Sequence, residues 1–190
     1  IRRNFDTGLT LNLNNASRSP LPLSHQALCQ KYMDEWRTGM HDPYYYNFQH
    51  ADLLKQALSE YIQAPDVNMS IQQNVAQSMG LIVNGLPWET GDTVLLMEND
   101  YPSITLPFHT NSNISIDWLP TDNGKVCTNQ IASKITEKTK AIAISWVCKT
   151  TGQVQDIDTI SALCKKHDIY CIVDATQALG AIPINLSTTH

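Results

Sequence analysis

Four short stretches put polar or aromatic side chains where an apolar strand ends or a helix starts, and each has a chemistry open to it. Asp174 follows the apolar run 170–173 and precedes Ala175-Thr176-Gln177. A carboxylate at a strand tip is costly to desolvate unless a cation or strong donors meet it. Two readings of Asp174 follow: an N-cap for the turn 175–179, or a fixed anion facing a protonated heterocycle, whose charged form it would favour. Asn74-Val75-Ala76-Gln77 reads as a helix start directly after a strand. Free N–H groups and the helix dipole attract an anion there, although an Asn-capped helix that binds nothing has the same sequence. In Asp100-Tyr101-Pro102-Ser103 the Tyr101 ring either lies on a planar ligand or packs as a half-buried core aromatic. Val147-Cys148-Lys149-Thr150-Thr151-Gly152 closes an apolar strand; its Thr-Gly is most simply a turn.

The elements that must carry these residues are legible from periodicity. Residues 1–20 read as an irregular arm, and 21–190 as one domain. A helix is expected over 24–36, with Leu28, Tyr32 and Trp36 on one face and Gly39 to stop it. A polar loop with Asp42-Pro43 and three tyrosines leads to a second helix over 49–62. Leu53, Leu54, Ala57, Leu58 and Tyr61 form its expected buried stripe. Beyond Pro65 strands and helices alternate: strands over 67–71, 93–97, 113–118, 140–147 and 169–174, helices from about Asn74 to Leu86 and over 104–109, 128–135 and 156–167. That alternation predicts an α/β fold with a mostly parallel sheet. The runs 141–145 and 170–173, apolar on both faces, read as central strands. In such sheets ligands sit beyond the carboxyl ends of the strands, where all four stretches fall.

Composition removes several alternatives. With 190 residues, 42% of them hydrophobic and 16% charged, the chain can bury a core and is not of disordered type. A net charge of -5 without basic clusters argues against nucleic acid, and no apolar run reaches membrane-helix length. Arg2-Arg3-Asn4-Phe5 resembles the tail of a twin-arginine signal, but no apolar h-region follows. Five cysteines without a CxxC pair argue against a disulfide framework or a structural zinc site, and a cytoplasmic location is expected. The six histidines show no ligand spacing, so no metal site is expected. Cysteines 29, 127, 148, 164 and 171 read mostly as core or surface thiols, and Trp36, Trp88 and Trp118 as packing. No G-x-S-x-G elbow is present. A nucleotide-binding doubly wound domain would fit the alternation, but neither phosphate-loop fingerprint occurs.

Taken in order, the four stretches resemble the class V aminotransferase family of fold-type I pyridoxal phosphate enzymes, which includes cysteine desulfurases and isopenicillin N epimerase-like proteins. Leu13-Asn14-Asn15-Ala16-Ser17 is similar to the family's entry motif. Gly91-Asp92-Thr93-Val94 with Asp100-Tyr101-Pro102-Ser103, and Ser145-Trp146-Val147 through Thr151-Gly152-Gln153, resemble two further family stretches. Ile172-Val173-Asp174-Ala175-Thr176-Gln177-Ala178-Leu179-Gly180 resembles the specific cofactor signature. The resemblance implies the three-layer α/β/α large domain of such an enzyme, with pyridoxal 5'-phosphate as cofactor. Asp174 would pair with the pyridine nitrogen and Gln177 with the ring hydroxyl. Tyr101 would stack on the ring, and the N–H groups of Val75 and Ala76 would hold the phosphate.

Three positions depart from the family pattern. Ala76 replaces a Thr or Ser, Lys149 stands near the ring where desulfurases have Asn, and Tyr101 stands where they have His. These departures point toward epimerase-like or Cys/Sec lyase-like chemistry on an amino acid through an external aldimine. The Schiff-base lysine is expected after His190, because no lysine follows Lys166. The reading is therefore of an N-terminal half, ending before the lysine and the small C-terminal domain and inactive alone. Its expected partners are a second copy or the missing half. The alternative is a non-catalytic α/β domain serving in binding or subunit assembly.

Overall fold

The computed structural model describes residues 4, 5, 8, 12–40, 43–64 and 67–187, with the backbone only at 43–47. Arg2, Arg3, His41, Asp42, Pro65 and His190 lie outside the described residues. The chain divides into two compact units, 1–57 and 58–190.

Helix α1 spans Leu23–Thr38 and ends on Gly39. Glycine suits this position because φ there is +69°, and its N–H closes the last turn onto the Trp36 carbonyl at 3.1 Å. Helix α2 spans Pro43–Tyr61 and so begins six residues before the expected start. Proline is preorganised for a first helical position, so the expected loop is helix from Pro43 onward. Neither apolar stripe is buried. No residue of α1 is buried, and Leu28, Trp36, Leu53, Leu54 and Tyr61 are all exposed, so Trp36 is no core residue and meets only the neighbouring Tyr32 ring among the described aromatic rings. The stripes satisfy the helical period, yet most of their apolar side chains are exposed.

In the second unit the expected strand over 67–71 is irregular, with Val67 and Ile71 exposed. Helix α3 spans Val75–Gly85 and therefore follows a loop, not a strand. The chain continues through β1 (Asp92–Met97), α4 (Pro102–Thr105), a 3-10 turn (Leu106–Thr110) and β2 (Ile114–Leu119). Next come a hairpin of β3 (Thr121–Asp122) and β4 (Lys125–Val126), then α5 (Thr128–Lys134), β5 (Thr139–Ser145), α6 (Ile157–Lys166) and β6 (Tyr170–Asp174). The helix expected over 104–109 is split between α4 and the 3-10 turn. Pro107 lacks the N–H that would continue an α-helix.

Strands β2, β1, β5 and β6 lie in that order, all parallel. Alternation along each strand sorts the core into two layers. Leu95, Met97, Ile142 and Ile144 face Ile131 of α5 and Ile157, Ile160 and Cys164 of α6. Val94, Leu96, Ala141 and Ala143 face Met79 and Val83 of α3, Ile104 of α4 and Phe108. The result is the expected three-layer α/β/α arrangement. Each fully buried Leu or Ile contributes about 1.5–3 kcal/mol, so these layers carry the unit. β6 corrects the expectation of a central strand: among the described residues its only strand partner is β5, and it is half-buried to exposed throughout. No helix among the described residues is long and apolar enough to cross a membrane.

Candidate functional site

The two layers also fix where a ligand can enter. The chain leaves β1 through α4, on the α3 face, to reach β2. It leaves β5 through α6, on the opposite face, to reach β6. Neighbouring strands whose connections diverge to opposite faces leave a crevice beyond their carboxyl ends. That crevice lies between β1 and β5.

Its floor is organised by Asp100, a residue whose role the sequence did not disclose. Asp100 is buried, and its carboxylate accepts three hydrogen bonds: Tyr101 N and Ser145 Oγ on Oδ1 at 2.7 and 2.5 Å, and Ser145 N on Oδ2 at 2.8 Å. Bonds to a charged acceptor are stronger than neutral ones, so the end of β5 is tied to the turn after β1. Ser145 is in turn the register partner of Asp174, and Trp146 N–H donates to the Asp174 carbonyl at 2.9 Å. One strand edge thus sets Tyr101, Ser145 and Asp174 side by side. Trp146 turns its ring away, into the layer of α5 and α6.

Asp174 takes up the capping role that its sequence allowed. Oδ1 accepts from Thr176 N at 2.8 Å and Thr176 Oγ1 at 2.5 Å, capping the turn that closes through Ala178 N to Ala175 O at 2.9 Å. Oδ2 has no partner among the described residues and remains an open acceptor. By alternation Asp174 shares the face of Ile172, which packs in the α3 layer. Gln177 follows three residues on and is half-buried.

At the α3 start, Asn74 Oδ1 accepts from Gln77 N at 2.9 Å, while Gln77 Oε1 accepts from Gln73 N at 3.0 Å. This reciprocal cap leaves the N–H groups of Val75 and Ala76 without an acceptor among the described residues. Ala76 lines a groove of about 420 Å³ with Gly80, Pro102, Ser103, Leu106, Pro107 and Thr110. The helix start is thereby adjacent to the turn that carries Tyr101. Tyr101 is 47% exposed, and Lys149 Nζ lies 4.9 Å from its ring centroid, a cation–π contact. Lys149 makes no ion pair among the described residues. The six sequence-predicted residues therefore fall along one end of the sheet: Tyr101, Lys149 and Asp174 at the strand tips, Gln177 in the following turn, Val75 and Ala76 at the facing helix.

The loop that carries Lys149 has a buttress unforeseen from the sequence. Gln155, buried, donates Nε2 to the Gly124 carbonyl at 2.7 Å and accepts from Val126 N at 3.0 Å, clamping the β3–β4 hairpin. Asn123-Gly124, with φ of +48° and +80°, is the hairpin signal that could have revealed it. Gly124 packs against Thr151 and Cys148. Burial pushes the Cys148 thiol up, but hydrogen bonds from Thr150 and Thr151 outweigh it and bring the pKa from 9.0 to about 7.

The layered parallel sheet is the fold of the large domain of the fold-type I class. The aminotransferase class-V family model matches residues 12–190, and the chain belongs to that family. Cysteine desulfurase IscS of Buchnera aphidicola subsp. Schizaphis graminum is 28% identical over 141 residues, 71% of this chain and 35% of the relative. A probable cysteine desulfurase of Haemophilus influenzae is 29% identical over 137 residues, 68% of this chain and 31% of the relative. Among solved structures, a lysine-to-alanine mutant of C-DES with glycine covalently linked to its pyridoxal phosphate cofactor superposes with a TM-score of 0.80 at 23% identity, over 92% of this chain and 49% of that one. The apo cysteine desulfurase of Thermococcus onnurineus NA1 gives 0.76 at 19% identity, over 93% and 46%. The chain spans about a third of the length of these curated relatives and about half of these structural neighbours.

Proposed function

We propose that this chain is the cofactor-binding portion of a pyridoxal phosphate enzyme acting on an amino acid, of the Cys/Sec lyase-like kind. One observation carries the reading: Asp174 stands at a strand tip beside the β1–β5 crevice, on the face of α3, with Oδ2 open. The residues fit the cofactor. Asp174 Oδ2 would accept a hydrogen bond from the protonated pyridine nitrogen, and the N–H groups of Val75 and Ala76 would donate to phosphate oxygens at the positive end of the helix dipole. Tyr101 would offer a ring face for stacking, and Gln177 a side-chain amide for the ring hydroxyl. Lys149 would add a positive charge beside that ring. When bound, the cofactor supplies an electron sink for cleaving bonds at the substrate's α-carbon; Asp174 would keep its nitrogen protonated.

The desulfurase relatives and C-DES, a cystine C–S lyase, favour lyase-like chemistry. The departures at Tyr101 and Lys149 are shared by the epimerase-like reading, in which a proton is moved instead. The expected assembly is a homodimer or a pairing with the remaining half. Titrating the chain with pyridoxal phosphate, followed by tryptophan fluorescence, tests the reading. Saturable binding is expected, with pyridoxal lacking the phosphate at least about tenfold weaker; equal affinity for the two would refute the helix-start phosphate site.

A further inference from the structure

The layer behind β6 holds a pair of thiols that the proposed chemistry does not use. Cys164, on the last turn of α6, is fully buried, and Cys171, the second residue of β6, packs against the same cluster and is half-buried. Only a tight turn separates their elements. Ile169 N–H donates to the Cys164 carbonyl at 3.0 Å, folding the chain straight back from helix to strand. By alternation Cys171 faces the layer that holds Cys164, and both side chains pack in that one cluster. Their mutual interaction, with burial, pushes Cys164 up and draws Cys171 down, which favours Cys171 as the attacking sulfur.

We propose that Cys164 and Cys171 form a redox modification site, a dithiol that a hydroperoxide converts into an intramolecular disulfide. Cys171, the more accessible sulfur, attacks one peroxide oxygen; the O–O bond breaks, leaving a sulfenic acid and, after proton uptake, water. Cys164 then loses its proton and attacks the sulfenic sulfur, forming the S–S bond and releasing a second water. Two thiols and one hydrogen peroxide thus give one disulfide and two waters, with two electrons passing from sulfur to oxygen. The crosslink closes the short loop 164–171 and ties α6 to β6, the strand that ends three residues later in Asp174. Within the described sheet β6 is held by β5 alone, so this tether fixes the site's outermost strand.

The test treats the full chain with hydrogen peroxide, blocks remaining thiols and maps peptides without reduction. A Cys164–Cys171 crosslinked peptide lighter by two hydrogens is expected, with a rise in Tm of about 5–10 °C that dithiothreitol reverses. Cys164→Ser should arrest Cys171 as a sulfenic acid, trapped by dimedone, and Cys171→Ser should abolish both the crosslink and the Tm shift. Recovery of both residues as free thiols at a peroxide dose that oxidises exposed Cys29, or crosslinks between molecules instead, would overturn the proposal. The wild-type peptide map decides the matter even if a variant fails to fold.

Discussion

Replacing Asp100 by alanine removes the acceptor for three donors at once: Tyr101 N, Ser145 N and Ser145 Oγ. Ser145 is buried, so water cannot readily replace the lost partner at its two donors. Tyr101 is exposed enough for water to serve its N–H. Counting about 1.5–2 kcal/mol for each buried donor and little for the third gives a loss of about 3–4 kcal/mol. Asp100→Asn keeps one carbonyl acceptor but turns an amide N–H₂ toward the remaining donor, so about half of the loss should persist. The assay is urea unfolding followed by tryptophan fluorescence, since Trp88, Trp118 and Trp146 all lie in the unit 58–190. The midpoint should fall with the slope unchanged. A double-mutant cycle with Ser145→Ala should show coupling of at least about 1 kcal/mol. A loss below about 1 kcal/mol for Asp100→Ala, or an additive cycle, would refute the claim that this carboxylate ties β1 to β5.

Other positions give independent checks. Gly124→Ala should cost about 2–3 kcal/mol, because the new Cβ would stand 2.7 Å from Cys148 Sγ at a φ of +80°; the urea midpoint measures it. Asn74→Ala should cost about 1 kcal/mol by the same assay, through loss of the α3 cap. The Cys148 thiol should show an alkylation rate that rises with pH around a midpoint of about 7. Its folded pKa lies below its unfolded value of 9.0, so its ionisation stabilises the fold fully above pH 9; this contribution fades as pH falls and is lost below about 7. Relative to Cys148→Ser, the wild-type urea midpoint should therefore climb between pH 7 and 9.

The parts legible in advance were those with strong local signals. The run 141–145, apolar on both faces, read as a central strand and is buried in β5, and Gly39 marked the end of α1 through its own backbone chemistry. Where burial depended on a distant surface, periodicity was no guide. The stripes of α1 and α2 have the right spacing and lie open, and β6, as apolar as β5, sits at an edge of the described sheet. Residues 67–71 carry a strand-like pattern, yet no strand pairs with them among the described residues. At the site, Asp174 stood out because a carboxylate after an apolar strand is anomalous. Asp100 did not, because its partner Ser145 is 45 residues away in sequence and only register brings them together. Gln155 was hidden for the same reason, its two bonds reaching back to the β3–β4 hairpin.

The most direct test of the proposed chemistry compares the chain with its Asp174→Asn variant in parallel titrations with pyridoxal phosphate. The amide keeps an oxygen for Thr176 and so preserves the turn, while removing the negative charge at the open acceptor. The variant should bind at least about tenfold more weakly, a difference of about 1.4 kcal/mol, with an unchanged urea midpoint. Equal affinity in the two proteins would show that the Asp174 carboxylate does not face the cofactor ring.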